Sequence, residues 1–483
     1  MAKDDFEVVI GLEVHAELST KTKIFCSCPT EFGAEPNTHT CPVCTAMPGA
    51  LPVLNERVVE YAVKAGLATN CSISQDSKND RKNYFYPDLP KSYQISQFDK
   101  PLCFEGYIEI EDDNGNPKKI RIERIHIEED AGKLNHNEFG GGALVDLNRA
   151  GVPLIEIVSH PDIRSSGEAD RYLKKLKSIL EYIEVSDCKM QEGSLRADVN
   201  VSVHKPNEPF GERHEMKNMN SFKSITRAID YEINSQIDDI EAGIPVKRDT
   251  MRWDDLSGET TKMRSKESAQ DYRYFPDPDL VAIRLSDEYI EEIKKHLPEL
   301  PESRKARYME EFKLSEKDAR MLTNSKYLSN IFEDAEKACK NAKAAANWLL
   351  SDISRILNEE EMEAEQIPFT GKELGKLITL IDNGTISSSI GKKVIEELFT
   401  YEKGEVKDPE DIVKDNGWIQ ISDEGAIKEV VVKILEANPQ SVADYKGGKD
   451  RALGFLVGQA MKETKGKANP QLLNKLFIEE LNK

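Results

Sequence analysis

The feature that most restricts the fold is a change of periodicity part-way along the chain. Up to about Ile293, apolar and polar residues alternate in many short runs separated by Gly, Pro and Asn, the period-two signature of strands. Two segments interrupt it with helical spacing. Tyr172, Leu173, Leu176, Ile179, Leu180 and Ile183 share one face of SGEADRYLKKLKSILEYI, and Ile225, Ile229, Ile233 and Ile237 share one face of SFKSITRAIDYEINSQI. This part reads as α+β around a large sheet. At HLPELPESRK, Pro298 and Pro301 mark a linker, and beyond it strand signals nearly vanish. Helix starts replace them: Ser315 with Asp318, and Thr370 with Glu373, have capping-box spacing. A second break, YEKGEVKDPEDIVKDNG, precedes a smaller helical segment. There Ser422 is placed to cap DEGAIKEVVVKILEANP, and two more helices are expected around KGKANPQ.

At 483 residues the chain has room for more than one core, and its length suggests about three domains. With 39% hydrophobic and 32% charged residues it is neither disordered nor fibrous by composition. No apolar run approaches the roughly 18 to 20 residues of a membrane-spanning helix, so a cytosolic protein is expected. Cys71, Cys103, Cys188 and Cys339 are scattered singly, as buried thiols of a reducing compartment would be. A net charge of −21 opposes wide nonspecific binding to nucleic acid. The end of the chain runs counter to this: Ser441 to Lys483 holds eight Lys and Arg against five Asp and Glu, a local excess of three positive charges.

Alternation also decides which polar groups stand together. In VIGLEVHAEL, Ile10, Leu12, Val14 and Leu18 take one face and leave Glu13, His15 and Glu17 on the other. RIHIEEDAGK sets Arg124, His126, Glu128 and Asp130 opposite Ile125 and Ile127. RADVNVSV sets Arg196, Asp198, Asn200 and Ser202 opposite Val199, Val201 and Val203, and HEMKN offers Glu215 and Lys217. Such a face either meets water, as one side of many antiparallel sheets does, or forms a site. Short carboxylates, His and Asn are the groups that ligate hard cations and hold phosphates, which favours a nucleotide and metal site. Glu156 is a single carboxylate in the apolar run VPLIEIVS, and needs a metal, an Arg, a proton or a structural salt bridge. In EMKNMNSFKS, Lys217 and Asn218 precede a helix start at Ser221. That start is either an anion site or plain capping by Asn220 or Ser221. The common motifs are absent: there is no GxxxxGK[ST], FGGGALVD is not GxGxxG, and HEMKN is not HExxH.

Cys26, Cys28, Cys41 and Cys44 form a CxC and a CxxC separated by twelve residues, with Gly33, Pro36 and Pro42 to shape the turns. A tetrahedral all-cysteine zinc site is the leading reading, with a disulfide as the alternative that a reducing compartment disfavours. Four thiolates fill the coordination sphere, so such a zinc is structural.

Together, VIGLEVHAELST, DRKNYFYPDLPKSYQISQ, RIHIEEDAGK, LVDLNRAGVPLIEIVS, EGSLRADVNVSV, EMKNMNSF and DYRYFPDPDL resemble, in chain order, the B-subunit family of bacterial-type aspartyl/glutamyl-tRNA amidotransferases. GFLVGQAMKETKGKANPQ resembles that family's C-terminal tail. The resemblance implies a large, mostly antiparallel "cradle" sheet domain over 1–295 with a zinc clasp at 26–44. An all-α domain over 296–407 and a small tRNA-contacting tail over 408–483 would follow. It implies ATP-dependent phosphorylation of the side-chain carboxylate of Glu-tRNA(Gln), Asp-tRNA(Asn) or both, followed by displacement of phosphate by ammonia. The ammonia would come from the amidase, the complex's A subunit, with the small C subunit joining the two. On matching positions it implies catalytic roles for Glu13, His15, Glu128 and Glu156, with Mg2+ on Glu13, His15 and Glu128. Asp198, Asn200, Glu215, Lys217 and Asn218 would surround ATP or the acyl phosphate, and Cys26, Cys28, Cys41 and Cys44 would hold zinc. Family members without the cysteines imply that this zinc does no chemistry. Two alternatives carry over: a noncatalytic zinc-containing tRNA-binding or assembly protein, which the acidic sheet lining opposes, and the archaeal glutamyl-specific paralogue, whose extra insertion the chain lacks.

Overall fold

Eleven residues, Glu7–Glu17, form the strand around which the first half of the chain is organised. In the computed structural model, which describes residues 5–136, 140, 142–265, 272–360, 362–419, 424–449, 451–464 and 468–482, this strand is the fifth of nine in one sheet. The order across the sheet is Glu259–Ser265, Asp249–Asp254, His214–Lys217, Leu195–His204, Glu7–Glu17, Pro153–Ser159, Pro117–Glu129, Cys103–Glu111 and Ser72–Ile73. Every neighbouring pair is antiparallel except His214–Lys217 with Asp249–Asp254. That exception has a plain cause, since the helix Phe222–Glu241 connects the two strands and a crossover returns the chain in the same direction.

The apolar face of the sheet is covered by that helix together with Glu56–Ala68 and Ser166–Tyr182. Ile10, Leu12, Val14, Ile125, Ile155 and Val199 from the strands share one core with Val58, Ala62, Leu173, Leu176, Ile225 and Ile229 from the helices. Each helix starts on a side-chain cap, Asn55, Ser165 and Ser221, accepting from backbone N–H groups of Arg57, Glu168 and Ser224. The fold is therefore α+β, and the polar face of the sheet is the side opposite the helices.

The chain divides into two compact units, Met1–Pro301 and Glu302–Lys483. Pro301, read from the sequence as part of a linker, is instead the first residue of the helix Pro301–Glu311. A first-turn proline loses nothing there, because its missing N–H would have no partner. Ser315 caps Glu316–Thr323 by accepting from the Asp318 N–H, and Thr370 and Glu373 make the full reciprocal box on Gly371–Asp382. The second unit holds two separate apolar clusters, one running from Tyr308 to Val413 and one from Ile427 to Leu481. The helix Pro409–Asp415 belongs to the first of these through Ile412 and Val413. Among the described residues, three helices rather than two follow Glu424–Ala437, because Pro439 opens a short one, Pro439–Lys446, before Arg451–Glu463 and Pro470–Leu481. Ser422, the expected cap, lies outside the described residues. Among the described residues no helix is long and apolar enough to cross a membrane.

Candidate active site and metal centres

Opposed residues of antiparallel strands share a face, so the sheet register lays polar side chains in rows. One row crosses four strands: Arg196 opposite His15, His15 opposite Glu156, and Glu156 opposite His126. The next row sets Asp198 opposite Glu13, and Asn200 pairs with Glu215 one strand further out. These rows are only partly open to water: His126, Glu156, Asn200 and Glu215 are buried, as is Glu128 beside them, while Glu13, His15 and Asp198 are half-buried.

In the first row Glu156 lies between two imidazoles, its Oε2 3.4 Å from Nε2 of both His15 and His126. Sequence reasoning offered a metal, an Arg, a proton or a salt bridge for this carboxylate. The structure supplies a double histidine clamp. Burial works against the carboxylate's charge, but His126 and then His15 hold it well below the usual carboxylate range. Burial likewise opposes charging of His126, yet Glu156 and Glu128 push it up to about 9. His15 is raised too, against burial, first by its hydrogen bond to Glu156. Glu128 accepts from Gln94 Nε2 at 2.6 Å through Oε1, while its buried Oε2 makes no hydrogen bond and stands 3.7 Å from His126.

The second group is all oxygen. Single ligand atoms of Glu13, Asp198 and Glu215 lie within 4.8 Å of one another. Asn200 Nδ2 donates to Glu13 Oε1 at 3.0 Å, and Thr250 Oγ1 donates to Glu215 Oε2 at 3.1 Å. Lys217 pairs with Asp198 and approaches Glu215 Oε1 at 3.7 Å, so its ammonium stands against two of the three carboxylates. His15, Glu128 and Glu156 form a separate group with the same 4.8 Å spread. Glu13 is thus not brought together with His15 and Glu128: the three residues read as one magnesium set divide between two groups. Three carboxylates fit a hard cation such as Mg2+ well. The other group, with one imidazole nitrogen and the unbonded Glu128 Oε2, also fits a divalent cation.

Asn218 does not face these groups through its amide, whose Nδ2 donates to the Trp253 carbonyl at 3.1 Å. Ser221 caps the following helix, and its neighbour Ser224 donates to Asp255 at 2.6 Å, so plain capping accounts for that helix start. Arg196 is taken by Asp130 at 2.5 Å, and Asp130 in turn stands against Glu17, whose carboxyl burial and the Asp130 charge push up to about 8.

Lys82 is the residue that sequence reasoning missed. It lies on the strand Asp80–Asn83, opposite Gln94, with Nζ 5.4 Å from the Tyr272 ring centre and 5.9 Å from that of Tyr84. Burial opposes its charge, but Glu128, Tyr274 and Glu156 hold it firmly protonated. The signal lay in the interleaved bases and aromatics of DRKNYFY and DYRYF, which a four-residue strand is too short to display as a face.

The four clasp cysteines come together as free thiols, with Cys44 Sγ 4.0 Å from Cys28 and 3.9 Å from Cys41. A tetrahedron with metal–sulfur bonds of about 2.3 Å has edges of roughly 3.8 Å, so the set fits zinc. Cys44 is pushed down to about 4, first by the hydrogen bond from Cys26, against burial, and further by the Cys41 backbone and Lys23. Asn37 and Asn148 stitch the clasp to the segment before Pro153: His39 N–H donates to Asn148 Oδ1 at 2.8 Å, and Asn37 Nδ2 to the Val145 carbonyl at 3.0 Å.

Comparison with known proteins places this geometry. Residues 8–291 match the model described as the GatB/GatE catalytic domain, and residues 330–481 match the GatB domain. The chain belongs to the GatB/GatE family. It is 60% identical over 483 residues to the B subunit of the aspartyl/glutamyl-tRNA(Asn/Gln) amidotransferase of Caldicellulosiruptor bescii, covering 99% of this chain and 100% of that protein. The protein of the same name from Clostridium tetani is 58% identical over 480 residues, 99% of each chain. Both groups of carboxylates, the histidine clamp, Lys82 and the clasp lie within the stretch that matches the GatB/GatE catalytic domain.

Proposed function

We propose that this chain is the B subunit of a tRNA-dependent amidotransferase, a carbon–nitrogen ligase that converts Glu-tRNA(Gln), Asp-tRNA(Asn) or both to the amide. In this reading an oxygen of the substrate side-chain carboxylate attacks the γ-phosphorus of ATP and releases ADP. Ammonia then forms the C–N bond, and phosphate leaves with the original carboxylate oxygen. The observation that carries the reading is the pairing of an all-carboxylate group with a histidine-clamped one on a single, largely buried sheet face, in a chain of this family.

Glu13, Asp198 and Glu215 are the residues suited to hold Mg2+, which when bound offsets the charge of the phosphates. Lys217 can take over phosphate charge when its own carboxylate partners turn to the cation. Glu128 and Glu156, with His15, suit either a second cation or the substrate's amino and carboxyl groups. Lys82, held charged near two tyrosine rings, supplies a cation whose charge is felt by Glu128 and Glu156 and which would offset that of an acyl phosphate. A water-poor face lined by preset charges of both signs aligns two anions without reorganising solvent.

The clasp holds zinc as a structural ion in this reading, pinning the loop that follows the Glu13 and His15 strand. Residues 408–483, with their basic end, contact tRNA. The amidase and the small third protein complete a heterotrimer in the cytoplasm. The test is ATP-dependent amidation by the assembled complex on both misacylated tRNAs, supplied with ammonium so that the glutaminase is bypassed. Amide product on at least one tRNA is expected, with His15→Ala and Glu13→Ala losing product but retaining tRNA binding. Tight tRNA binding without product in the unaltered complex would favour a noncatalytic binding role.

A further inference from the structure

The clasp contains a charge that the ligand set alone does not explain. Lys23 is fully buried, at 0% exposure, three residues before Cys26. Its ammonium donates to the His39 carbonyl at 2.7 Å, to the Leu147 carbonyl at 3.2 Å and to Cys44 Sγ at 3.6 Å. Among the described residues it makes no ion pair with a carboxylate. A buried ammonium surrounded only by neutral carbonyls and thiols is costly, because carbonyl dipoles do not replace its hydration. Of its three contacts, only the sulfur of Cys44 can carry negative charge.

The charges then close on each other. Four thiolates around one Zn2+ leave two negative charges in a partly buried pocket, and one internal ammonium halves that excess. An N–H donor on sulfur also makes the thiolate less nucleophilic and fixes its orientation, as outer partners of metal ligands commonly orient them. A cavity of about 260 Å³ adjoins the clasp, bounded by Lys23, Cys26, Cys44, Met47, Lys91 and Glu129, so it borders two of the four cysteines.

We propose that Lys23 is the built-in counter-ion of the four-cysteine site, donating to the Cys44 thiolate so that the metal is held and its sulfur is protected from electrophiles entering this cavity. The inference rests on the zinc reading of the clasp, and zinc content measured first on the unaltered protein separates the two. Lys23 also joins the clasp to the loop at Leu147, six residues before the strand that carries Glu156. It is a positioning residue for the metal and takes no part in amide formation.

The experiment compares Lys23→Met, Lys23→Gln and Asn148→Ala in the full-length chain. The readouts are zinc per chain, the rate of zinc transfer to a chromogenic chelator, and mass-spectrometric mapping of cysteines alkylated by iodoacetamide. Lys23→Met is expected to release zinc at least tenfold faster, with Cys44 gaining reactivity more than the other three cysteines. Lys23→Gln keeps an N–H donor without the charge, and should fall between; it remains a test if the Met variant does not fold. Asn148→Ala cuts neighbouring tethers of the same loop, at His39 N–H and the Glu35 carbonyl, and leaves the ammonium in place. Its release rate should stay within about threefold of the unaltered chain. Unchanged release and alkylation in both Lys23 variants would overturn the proposal while leaving the zinc reading intact. So would acceleration by Asn148→Ala equal to that by Lys23→Met, because Lys23 would then be only a tether.

Discussion

The histidine clamp on Glu156 makes a quantitative claim that Glu156→Gln can test with almost no change of shape. At neutral pH the Glu156 carboxylate lies 3.4 Å from each of two imidazoles, and His126 is pushed up to about 9, against burial, chiefly by Glu156 and Glu128. Relative to an unfolded histidine near about 6.5, that rise corresponds to roughly 3 kcal/mol of stability, at about 1.4 kcal/mol per unit, of which Glu128 supplies a part. The sign follows from the direction of the shift. A raised histidine contributes its full stability below about 6.5 and loses it as pH climbs through about 9. The depressed Glu156 contributes above its unfolded range near about 4.5, and loses that contribution in acid. The unaltered chain should therefore lose thermal stability between about pH 6.5 and about 9, and Glu156→Gln should be flatter across the same window. A difference of about 2 to 3 kcal/mol near the lower end of that window corresponds to roughly 5 °C in the melting temperature of the unit that holds the sheet. The assay is differential scanning calorimetry without added magnesium at half-unit pH steps. Amidation of misacylated tRNA by the assembled complex is followed in parallel. There the loss of a preset charge beside the reacting groups should cost on the order of a hundredfold or more in turnover. A variant whose stability falls with pH as steeply as the unaltered chain would show that Glu156 does not hold His126 charged, and the reasoning about the clamp would fail.

Other perturbations separate the parts of the site. Lys217→Met should raise the Michaelis constant for ATP about tenfold or more in the amidation assay while leaving tRNA affinity unchanged; an unaltered constant for ATP would remove Lys217 from the phosphate region. Ending the chain after Ile419 keeps Ile412 and Val413 in their core while removing the cluster from Ile427 to Leu481. The shortened complex should lose tRNA affinity by filter binding but retain the calorimetric transition of the preceding helices, and equal affinity would count against a tail contact. Away from the site, Glu232 accepts from Gln236 and Thr260 and pairs with His214 at 2.5 Å, in a buried network. Glu232→Gln should cost about 1 to 3 kcal/mol at neutral pH without a change in amidation, and an equal melting temperature would show that the pair contributes nothing.

What could be read from the sequence follows from how far each physical rule reaches along the chain. Alternation is local, so Glu13, His15, Asp198, Asn200 and Glu215 could be assigned to polar faces before any pairing of strands was known. Pairing is not local. His15 meets Glu156 on a strand far along the chain, and Glu13 meets Asn200 across 187 positions, distances over which alternation carries no information. This is why one expected magnesium set became two groups, and why the salt bridge expected as one alternative for Glu156 could not be given its two histidine partners. The cap at Ser315 and the capping box at Thr370 were legible because donor and acceptor lie three residues apart, and the break at HLPELPESRK does fall between the two units, although its Pro301 already opens the next helix.

The same reasoning explains why the most conspicuous motif is the most local one. Four thiols within nineteen residues announce themselves because a closed tetrahedral site can be built from one loop. A site that must hold two anionic substrates and the charges to offset them needs more directions of approach than one loop provides. Its groups therefore arrive from five strands of the large sheet, with Lys82 and Gln94 from a small neighbouring one. Lys23 connects the two kinds of site in physical terms. The alternation and spacing rules say nothing of Lys23, and its burial against Cys44 appears only in the fold. A buried charge is legible in a sequence only when its partner is near in the chain. Here the partner lies twenty-one residues on, beyond the reach of any local pattern.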